Sequence, residues 1–158
     1  MATWDELAAA DPQMAAFGYE RLHSAGQAIG FLATVRHDED GPRVHPVCPI
    51  LGDGRIFVSI PKRSPKNRDL QRNGRYMLHA FPANEDAEFS IRGTARLASG
   101  VDREVAQSAA TFATGVRDSE DVFELDIERA DSTTWENWNT ADTHAIRKKW
   151  VETSSSRS

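Results

Sequence analysis

The sequence FVSIPKRSPKNRDL at residues 57–70 carries the strongest fold signal in the chain. Its apolar start is rich in β-branched and aromatic residues, which are typical of a strand. Ser64 followed by Pro65 is a common beginning of a helix, and Gly74 is a common end. We therefore predict a strand over Arg55–Ile60 that runs through a short loop into a helix.

Further short elements lie on both sides of this segment. Apolar patterns separated by turn residues predict strands over 29–35, 42–51, 75–81, 88–97 and 122–127, with a tight turn at 38–41. Helices are predicted from Asp11-Pro12 to Gly26 and over 102–113, the second capped by Asp102. For residues 135–150 we expect a short strand followed by a short helix.

The order of these elements indicates a mainly β fold with inserted helices. About six short strands joined by tight turns, with helices inserted singly, are typical of a small antiparallel barrel. Regular βαβ alternation is missing from the pattern, which excludes a doubly wound sheet. The 158 residues fit one domain, which we place at 1–152. We expect the tail at 153–158, TSSSRS, to be disordered.

The composition excludes several classes of protein. Cys48 is the one cysteine in the sequence, so a scaffold held by internal disulfides is ruled out. The most apolar short run, at 31–35, is far shorter than a membrane span. The N-terminal residues include acids and lack the basic start of a signal peptide. We therefore expect a soluble, cytoplasmic protein without a membrane partner.

The charge is unevenly distributed along the chain. The net charge is −5, yet residues 62–75 contain six basic residues and one acid, whereas residues 118–136 contain eight acids and one arginine. A net acidic chain is a poor general binder of nucleic acid. Tyr76 alone lies near the basic stretch, which therefore lacks the stacking aromatics of a nucleic-acid platform. A small anion remains a suitable ligand for it.

The start of the predicted helix offers groups that bind a phosphate. The first N–H groups of a helix have no partner within it, and the helix dipole is positive there. The N–H groups of Lys66 and Asn67, the Ser64 hydroxyl and the Lys66 ammonium would then converge on one point. In the alternative interpretation, Ser64 is only an N-cap and the basic residues form a solvated face.

A second feature precedes this segment in the chain. The strand at 42–51 contains Pro46 and Pro49 around the sequence His45-Pro-Val-Cys48. Prolines leave ladder positions of a strand unpaired. A planar heterocycle with its own donors and acceptors could use those backbone groups.

Taken together, these segments resemble the pyridoxamine 5′-phosphate oxidase-like, FMN-binding split-barrel family. The resemblance covers roughly residues 14–130. It is carried by Ile29–Arg36, Val44–Pro49, Arg55–Ile60, Ser64–Leu70 and Phe89–Leu97, and Ser64, Lys66 and Leu70 form its most specific part.

The resemblance implies a six- or seven-stranded antiparallel split β-barrel that forms a homodimer, with FMN sites at the interface. By position, Ser64 and Lys66 would hold the FMN phosphate, together with Asn67. Ser59 and Ile60 would lie along the ribityl chain. The ring would be flanked by His45, Pro46, Val47 and Cys48. Trp135 or, as our choice, Trp138 would cover the ring from the other subunit.

The resemblance leaves the reaction open. The C-terminal Ile146–Trp150 lacks the arginine-rich pattern of genuine pyridoxamine phosphate oxidases, so we expect an FMN-dependent oxidoreductase acting on another small molecule. No general acid or base is evident. The alternatives are a non-catalytic general stress protein that binds flavin, and a reductase using the deazaflavin F420, whose acidic tail could bind Lys62, Arg63, Arg68 and Arg72.

The sequence disfavours a bound metal ion and haem. The five histidines show no spacing typical of metal ligands, and Cys48 stands alone, so no metal site is expected. Some relatives of this barrel bind haem, and His45 could serve as its ligand. An isolated histidine is more often simply hydrogen-bonded, so we rank haem below both flavins.

Overall fold

The computed structural model describes residues 1–37, 41–82 and 84–153. Its helices are α1 (Trp4–Ala10), α2 (Pro12–Leu22), α3 (Pro65–Asn73) and α4 (Val101–Ala109). Its strands are β1 (Gly30–Thr34), β2 (Arg43–Val47), β3 (Pro49–Gly52), β4 (Arg55–Pro61), β5 (Arg75–Ala80), β6 (Glu88–Ala98), β7 (Glu120–Glu136) and β8 (His144–Val151).

The strands form a single antiparallel sheet. Its order is β2-β1-β5-β6-β7-β4-β3, and β8 pairs with β7. The predicted mainly β, antiparallel class is therefore confirmed, although the sheet has eight strands among the described residues, against the predicted six or seven. No described helix has the length and apolar character needed to cross a membrane.

The first and last strands of this order, β2 and β3, are consecutive in the chain. They are separated by Cys48 alone, yet β2 pairs with β1 and β3 pairs with β4. Because one residue joins the two ends of the order, the sheet must curl back on itself like a barrel with one unpaired line. We call the line between β2 and β3–β4 the seam. The single strand predicted over 42–51 is wrong in this respect, since it is two strands with different partners.

The core fills the inside of the curled sheet. Alternate residues of the strands point inward, and α1 and α2 pack over the same cluster, with Trp4 edge-on to Phe89 at 6.1 Å between ring centroids. The sequence analysis did not predict α1. Its signal is nevertheless present, because the Thr3 hydroxyl accepts from the Glu6 N–H while the Glu6 carboxylate accepts from the Thr3 N–H.

β7 is the longest strand and pairs with three other strands. Its early residues pair with β4, its late residues with β8, and β6 follows most of its length. The register with β6 shifts at Gly93, where a side-chain Cβ would lie 2.0 Å from the Asp126 carbonyl oxygen. Only glycine fits this bulge, which bends both strands around the core.

Two local predictions are wrong. Asp102 does not cap α4, because Gly100 occupies the N-cap position and the Asp102 carboxylate instead pairs with Arg55 at 2.7 Å. The helix expected within 135–150 is strand β8, which is paired along its whole length with β7. Asp38–Asp40, from the predicted turn, and residues 154–158 of the predicted disordered tail lie outside the described residues.

Helix α3 closes the seam with two buried polar side chains. On the β4–β7 side, the Asn67 Nδ2 group donates to the Ile60 carbonyl at 3.3 Å and to the Asp121 carboxylate at 3.0 Å. On the β1–β2 side, Asp69 Oδ2 accepts from the Thr34 hydroxyl at 2.8 Å and from Arg43 Nε at 3.0 Å. One short helix therefore joins the two sides of the split.

We expect Asn67→Ala to lower the free energy of unfolding by about 2–3 kcal/mol, because several buried hydrogen-bonding groups lose their partner. The matched control is Gln71→Ala, which removes an exposed side chain that donates to Asn67 Oδ1. Its cost should stay below about 1 kcal/mol. Urea denaturation followed by circular dichroism measures both, and equal costs for the two variants would contradict the assigned role of Asn67.

Candidate functional site

The start of α3 presents unused polar groups. Ser64 has an extended backbone and its side chain makes no capping bond, so the interpretation of Ser64 as a simple N-cap is not supported. The Asn67 N–H donates to the Ser64 carbonyl at 3.0 Å, so the prediction that this N–H is free is wrong. Within the described residues, the Lys66 N–H and the Ser64 hydroxyl have no hydrogen-bond partner.

Three basic side chains lie close together beside Ser64. Lys66 extends from α3, and Arg43 and His45 lie two residues apart on one face of β2. Burial and then the charge of Arg43 lower the pKa of Lys66. Burial, Lys66 and Arg43, in that order, lower the pKa of His45. The three side chains therefore place positive charge in one partly buried region, which is an arrangement suited to an anion.

Asp69 orients Arg43 toward this group. The pair uses Arg43 Nε, and within the described residues the terminal amino groups of Arg43 have no acidic partner. Arg43 was not among the residues predicted from the sequence. Its signal was the i, i+2 spacing to His45, which places both side chains on the same face of a strand.

Asn67, Ser59 and Ile60 are placed differently from the prediction. Asn67 is fully buried and its side chain is engaged within the protein. Ile60 is also fully buried in the core, so its side chain is not available to a ligand. Ser59 points to the opposite face of β4, where its hydroxyl donates to Glu120 at 2.9 Å.

The residues expected to flank a flavin ring lie along the seam. His45 is half-buried and faces Lys66, Pro46 is exposed and Val47 belongs to the core. Cys48 lies between the two strands, half-buried, and its sulfur accepts from Gln27 Nε2 at 3.3 Å.

Trp138 and Trp135 lie away from Lys66 within one chain. Trp135 lies near the C-terminal end of β7, and Trp138 follows that strand. β4, which leads to α3 and Lys66, pairs with the opposite, N-terminal end of β7. Their rings are 6.0 Å apart, and Trp135 Nε1 donates to the Asp86 carbonyl at 3.1 Å. A tryptophan lid over the site would have to come from another copy of the chain, as the sequence analysis expected.

A second basic feature adjoins the first. A cavity of about 220 Å³ lies beside α3. Its lining is His37, Arg43, Pro65, Arg68, Asp69 and Arg72. Among the described residues, no group of three or more histidine, cysteine or acidic side chains is arranged to hold a metal ion.

No protein-family model and no curated protein matches this sequence. Solved structures do match. A heme binding protein from Mycobacterium smegmatis is 19% identical, with a TM-score of 0.58. The alignment covers 83% of this chain and 57% of that protein, so the chain spans little more than half of its length.

Two further structures align over most of both chains. A Clostridium acetobutylicum protein of the pyridoxinephosphate oxidase family, related to general stress protein 26 of Bacillus subtilis, is 18% identical with a TM-score of 0.57 and coverages of 83% and 91%. HutZ, the heme storage protein from Vibrio cholerae, is 20% identical with a TM-score of 0.55 and coverages of 75% and 89%. The chain therefore has the fold of the pyridoxamine 5′-phosphate oxidase-like proteins, as its sequence pattern predicted.

Proposed function

We propose that the protein binds FMN at the seam and acts as an FMN-dependent oxidoreductase on a small molecule. The observation that carries this proposal is the grouping of Lys66 with Arg43 and His45 at the start of α3, where the Ser64 hydroxyl is unused. Asp69 is the one acid that pairs with this group among the described residues.

The groups present fit a phosphate monoester. Its two negative charges would compensate Lys66 and Arg43, and the Ser64 hydroxyl and Lys66 N–H would donate to its oxygens. A guanidinium and an ammonium together recognise a phosphate by shape and by charge. We therefore assign the phosphate to Ser64, Lys66 and Arg43, and remove Asn67 from the assignment because its side chain holds the fold.

The ring of the flavin would lie along the seam, near Pro46 and Cys48. There the chain leaves one edge of the sheet and joins the other, so its backbone is outside both strands at Cys48. Bound FMN supplies hydride or single-electron transfer, and the protein positions and tunes it. We retain Ser59 and Ile60 as candidates for backbone contacts with the ribityl chain.

A second copy of the chain would complete the site. On the outer face of the sheet, Phe31 of β1 is opposite Pro46 of β2, and Ala33 is opposite Val44 and Met77 of its two neighbours. Phe31, Pro46, Val44 and Met77 are exposed and apolar. We infer that this patch is a homodimer interface, because it is exposed, apolar and continuous with the seam.

Haem is not our proposal, although two structures with this fold are named for it. A histidine that ligates a metal normally donates its second ring nitrogen to a fixed acceptor. Nδ1 of His45 is enclosed and has no partner among the described residues. The positive charge of Lys66 and Arg43 beside His45 suits an anionic phosphate and favours a flavin mononucleotide.

F420 is the second candidate, favoured by the cavity beside α3. Arg68 and Arg72 line it together with Arg43, which also borders the phosphate site. A ligand with a phosphate followed by acidic groups could use both features at once. Lys62 and Arg63 are exposed in the loop before α3 and could extend the contact.

We expect Lys66→Ala to weaken FMN binding by about 1.5–3 kcal/mol, or roughly 10- to 150-fold, because a charged hydrogen bond to the phosphate is lost. Lys62→Ala is the matched control, since it removes an exposed charge four residues away, and should change the affinity less than about threefold. Quenching of flavin fluorescence measures both. An unchanged affinity in Lys66→Ala would remove the phosphate assignment.

The same preparations separate an oxidoreductase from a non-catalytic flavin carrier. FMN-loaded protein should oxidise NADH or NADPH faster than free FMN, and Lys66→Ala should lose this excess. A protein that binds FMN tightly without any excess turnover over free FMN would be a carrier of the general stress type.

If the ligand is F420, the double variant Arg68→Ala/Arg72→Ala should weaken F420 binding at least about tenfold while leaving FMN binding nearly unchanged. Lys148→Ala/Lys149→Ala on β8 removes the same charge elsewhere and is the control. Fluorescence titration with F420 tests this. Equal effects of the two double variants would contradict direct binding in the cavity. They would mean that the arginines attract F420 only through the overall positive charge of the protein surface.

We expect Met77→Glu to convert a dimer into a monomer, because a carboxylate in an apolar interface loses its hydration. Val101→Glu, at an even more exposed apolar residue on α4, should leave the dimer intact. Light scattering after gel filtration gives the masses. A monomeric wild-type protein, or a dimeric Met77→Glu variant, would contradict the assigned interface.

A further inference from the structure

The cavity of about 220 Å³ beside α3 lies between one face of this helix and the hairpin of β1 and β2. The helix residues that line it are spaced by three and four positions and therefore share a face: Pro65, Arg68, Asp69 and Arg72. Arg43 of β2 and His37, which follows β1, line it from the hairpin. Most ligand pockets measure roughly 300–1,000 Å³, so this cavity suits a small group rather than a whole cofactor.

The cavity has a surplus of positive charge. Among the described residues, its lining holds three arginines and a single acid, Asp69. Asp69 is buried, and its Oδ2 accepts from Arg43 Nε at 3.0 Å and from the Thr34 hydroxyl at 2.8 Å. Arg68 and Arg72 have no hydrogen-bond or ion-pair partner within the described part of the chain. The acid is thus already paired inside the protein, and the surplus charge is available to an anion.

Arg43 is held in a fixed position at this cavity. Its side chain is 21% exposed, and the bond from its Nε to the buried Asp69 carboxylate orients the guanidinium. The terminal amino groups remain as a fork that matches the oxygens of a phosphate or carboxylate. One oriented guanidinium, with the guanidinium groups of Arg68 and Arg72 beside it on the helix face, is suited to a small oxyanion that carries two or more negative charges.

Arg43 also belongs to the group assigned to the FMN phosphate. Asp69, which holds Arg43, lies three residues after Lys66 on α3, so the two side chains are neighbours on the helix surface. A guanidinium that binds an anion through both of its amino groups serves one anion at a time. Two multiply charged anions on either side of it also repel each other. The cavity and the phosphate assignment therefore draw on the same guanidinium.

We propose that the cavity beside α3 is an anion site separate from the seam, that it takes a small oxyanion with two or more negative charges, and that this anion competes for Arg43 with a phosphate bound at Ser64 and Lys66. The competition rests on the proposed function, whereas the oxyanion site stands without it. FMN has no acidic group beyond its phosphate, so with FMN as cofactor the cavity stays open to a free anion. An oxyanion bound there would weaken the binding of FMN.

Isothermal titration calorimetry of the flavin-free protein with inorganic diphosphate tests the oxyanion site. We expect Arg68→Ala/Arg72→Ala to weaken diphosphate binding at least about tenfold, because charged hydrogen bonds are lost. Both arginines are exposed, so the fold should be retained. The control, Lys148→Ala/Lys149→Ala, removes the same charge from β8 and should change the affinity less than about threefold.

Two results of this titration would overturn the oxyanion site. One is equal effects of the two double variants, or a wild-type protein that does not bind diphosphate. The other is a larger loss of diphosphate affinity in Lys66→Ala than in Arg68→Ala/Arg72→Ala, which would place the anion at the seam instead of the cavity.

Quenching of flavin fluorescence, with and without diphosphate, tests the competition. Diphosphate at a concentration that saturates the wild type should weaken its FMN binding at least about fivefold, and should change FMN binding to Arg68→Ala/Arg72→Ala less than about twofold. An equal loss in both proteins would mean direct displacement at Lys66, and an unchanged wild-type affinity would mean that Arg43 is not shared. Either result overturns the competition. If diphosphate binds and FMN does not, the proposed function is wrong and the oxyanion site stands.

Discussion

The attachment of α3 across the seam is the interaction on which the rest of the structure depends. A sheet whose first and last strands are joined by one residue cannot pair those strands along their length, so one line of the barrel stays open. Asn67 and Asp69 close it from the same helix, one bonded to β4 and β7 and the other to β1 and β2. Both side chains are buried, where hydrogen bonds are strongest and a missing partner costs most.

The same attachment creates the candidate site. Because Asp69 holds Arg43 by Nε, the guanidinium stays beside Lys66 although the two cations repel each other. Asn67 Nδ2 donates to the Ile60 carbonyl, so the end of β4 is fixed against α3. Ser64 then begins the helix at the seam. Residues that were first assigned to the ligand thus divide into two groups. Asn67 and the Ile60 side chain build the frame, whereas Ser64 and Lys66 remain candidates for the ligand and are joined by Arg43, which the sequence did not predict.

Local sequence predicted the elements whose signals are local. The Ser64-Pro65 start and Gly74 end of α3 were correct, and Gly74 has the left-handed conformation that ends a helix. β8 was missed because its stability comes from pairing with β7, a contact that the pattern of 135–150 does not contain. Asp102 failed as a cap for a similar reason, since Arg55, distant in sequence, attracts its carboxylate.

The acidic stretch of β7 shows why the basic group at the seam is informative. Glu124 is almost fully buried, yet it is bonded to Arg55 and Arg96, and Asp126 is bonded to Arg96 as well. Further along, Glu128 pairs with Arg75. On β7, therefore, burying charge is offset by opposite charge from neighbouring strands, as a structural network requires. At the seam, burial and then neighbouring positive charge lower the pKa of Lys66 and of His45, and neither side chain has an acidic partner among the described residues, so an anion bound there would stabilise their charged forms.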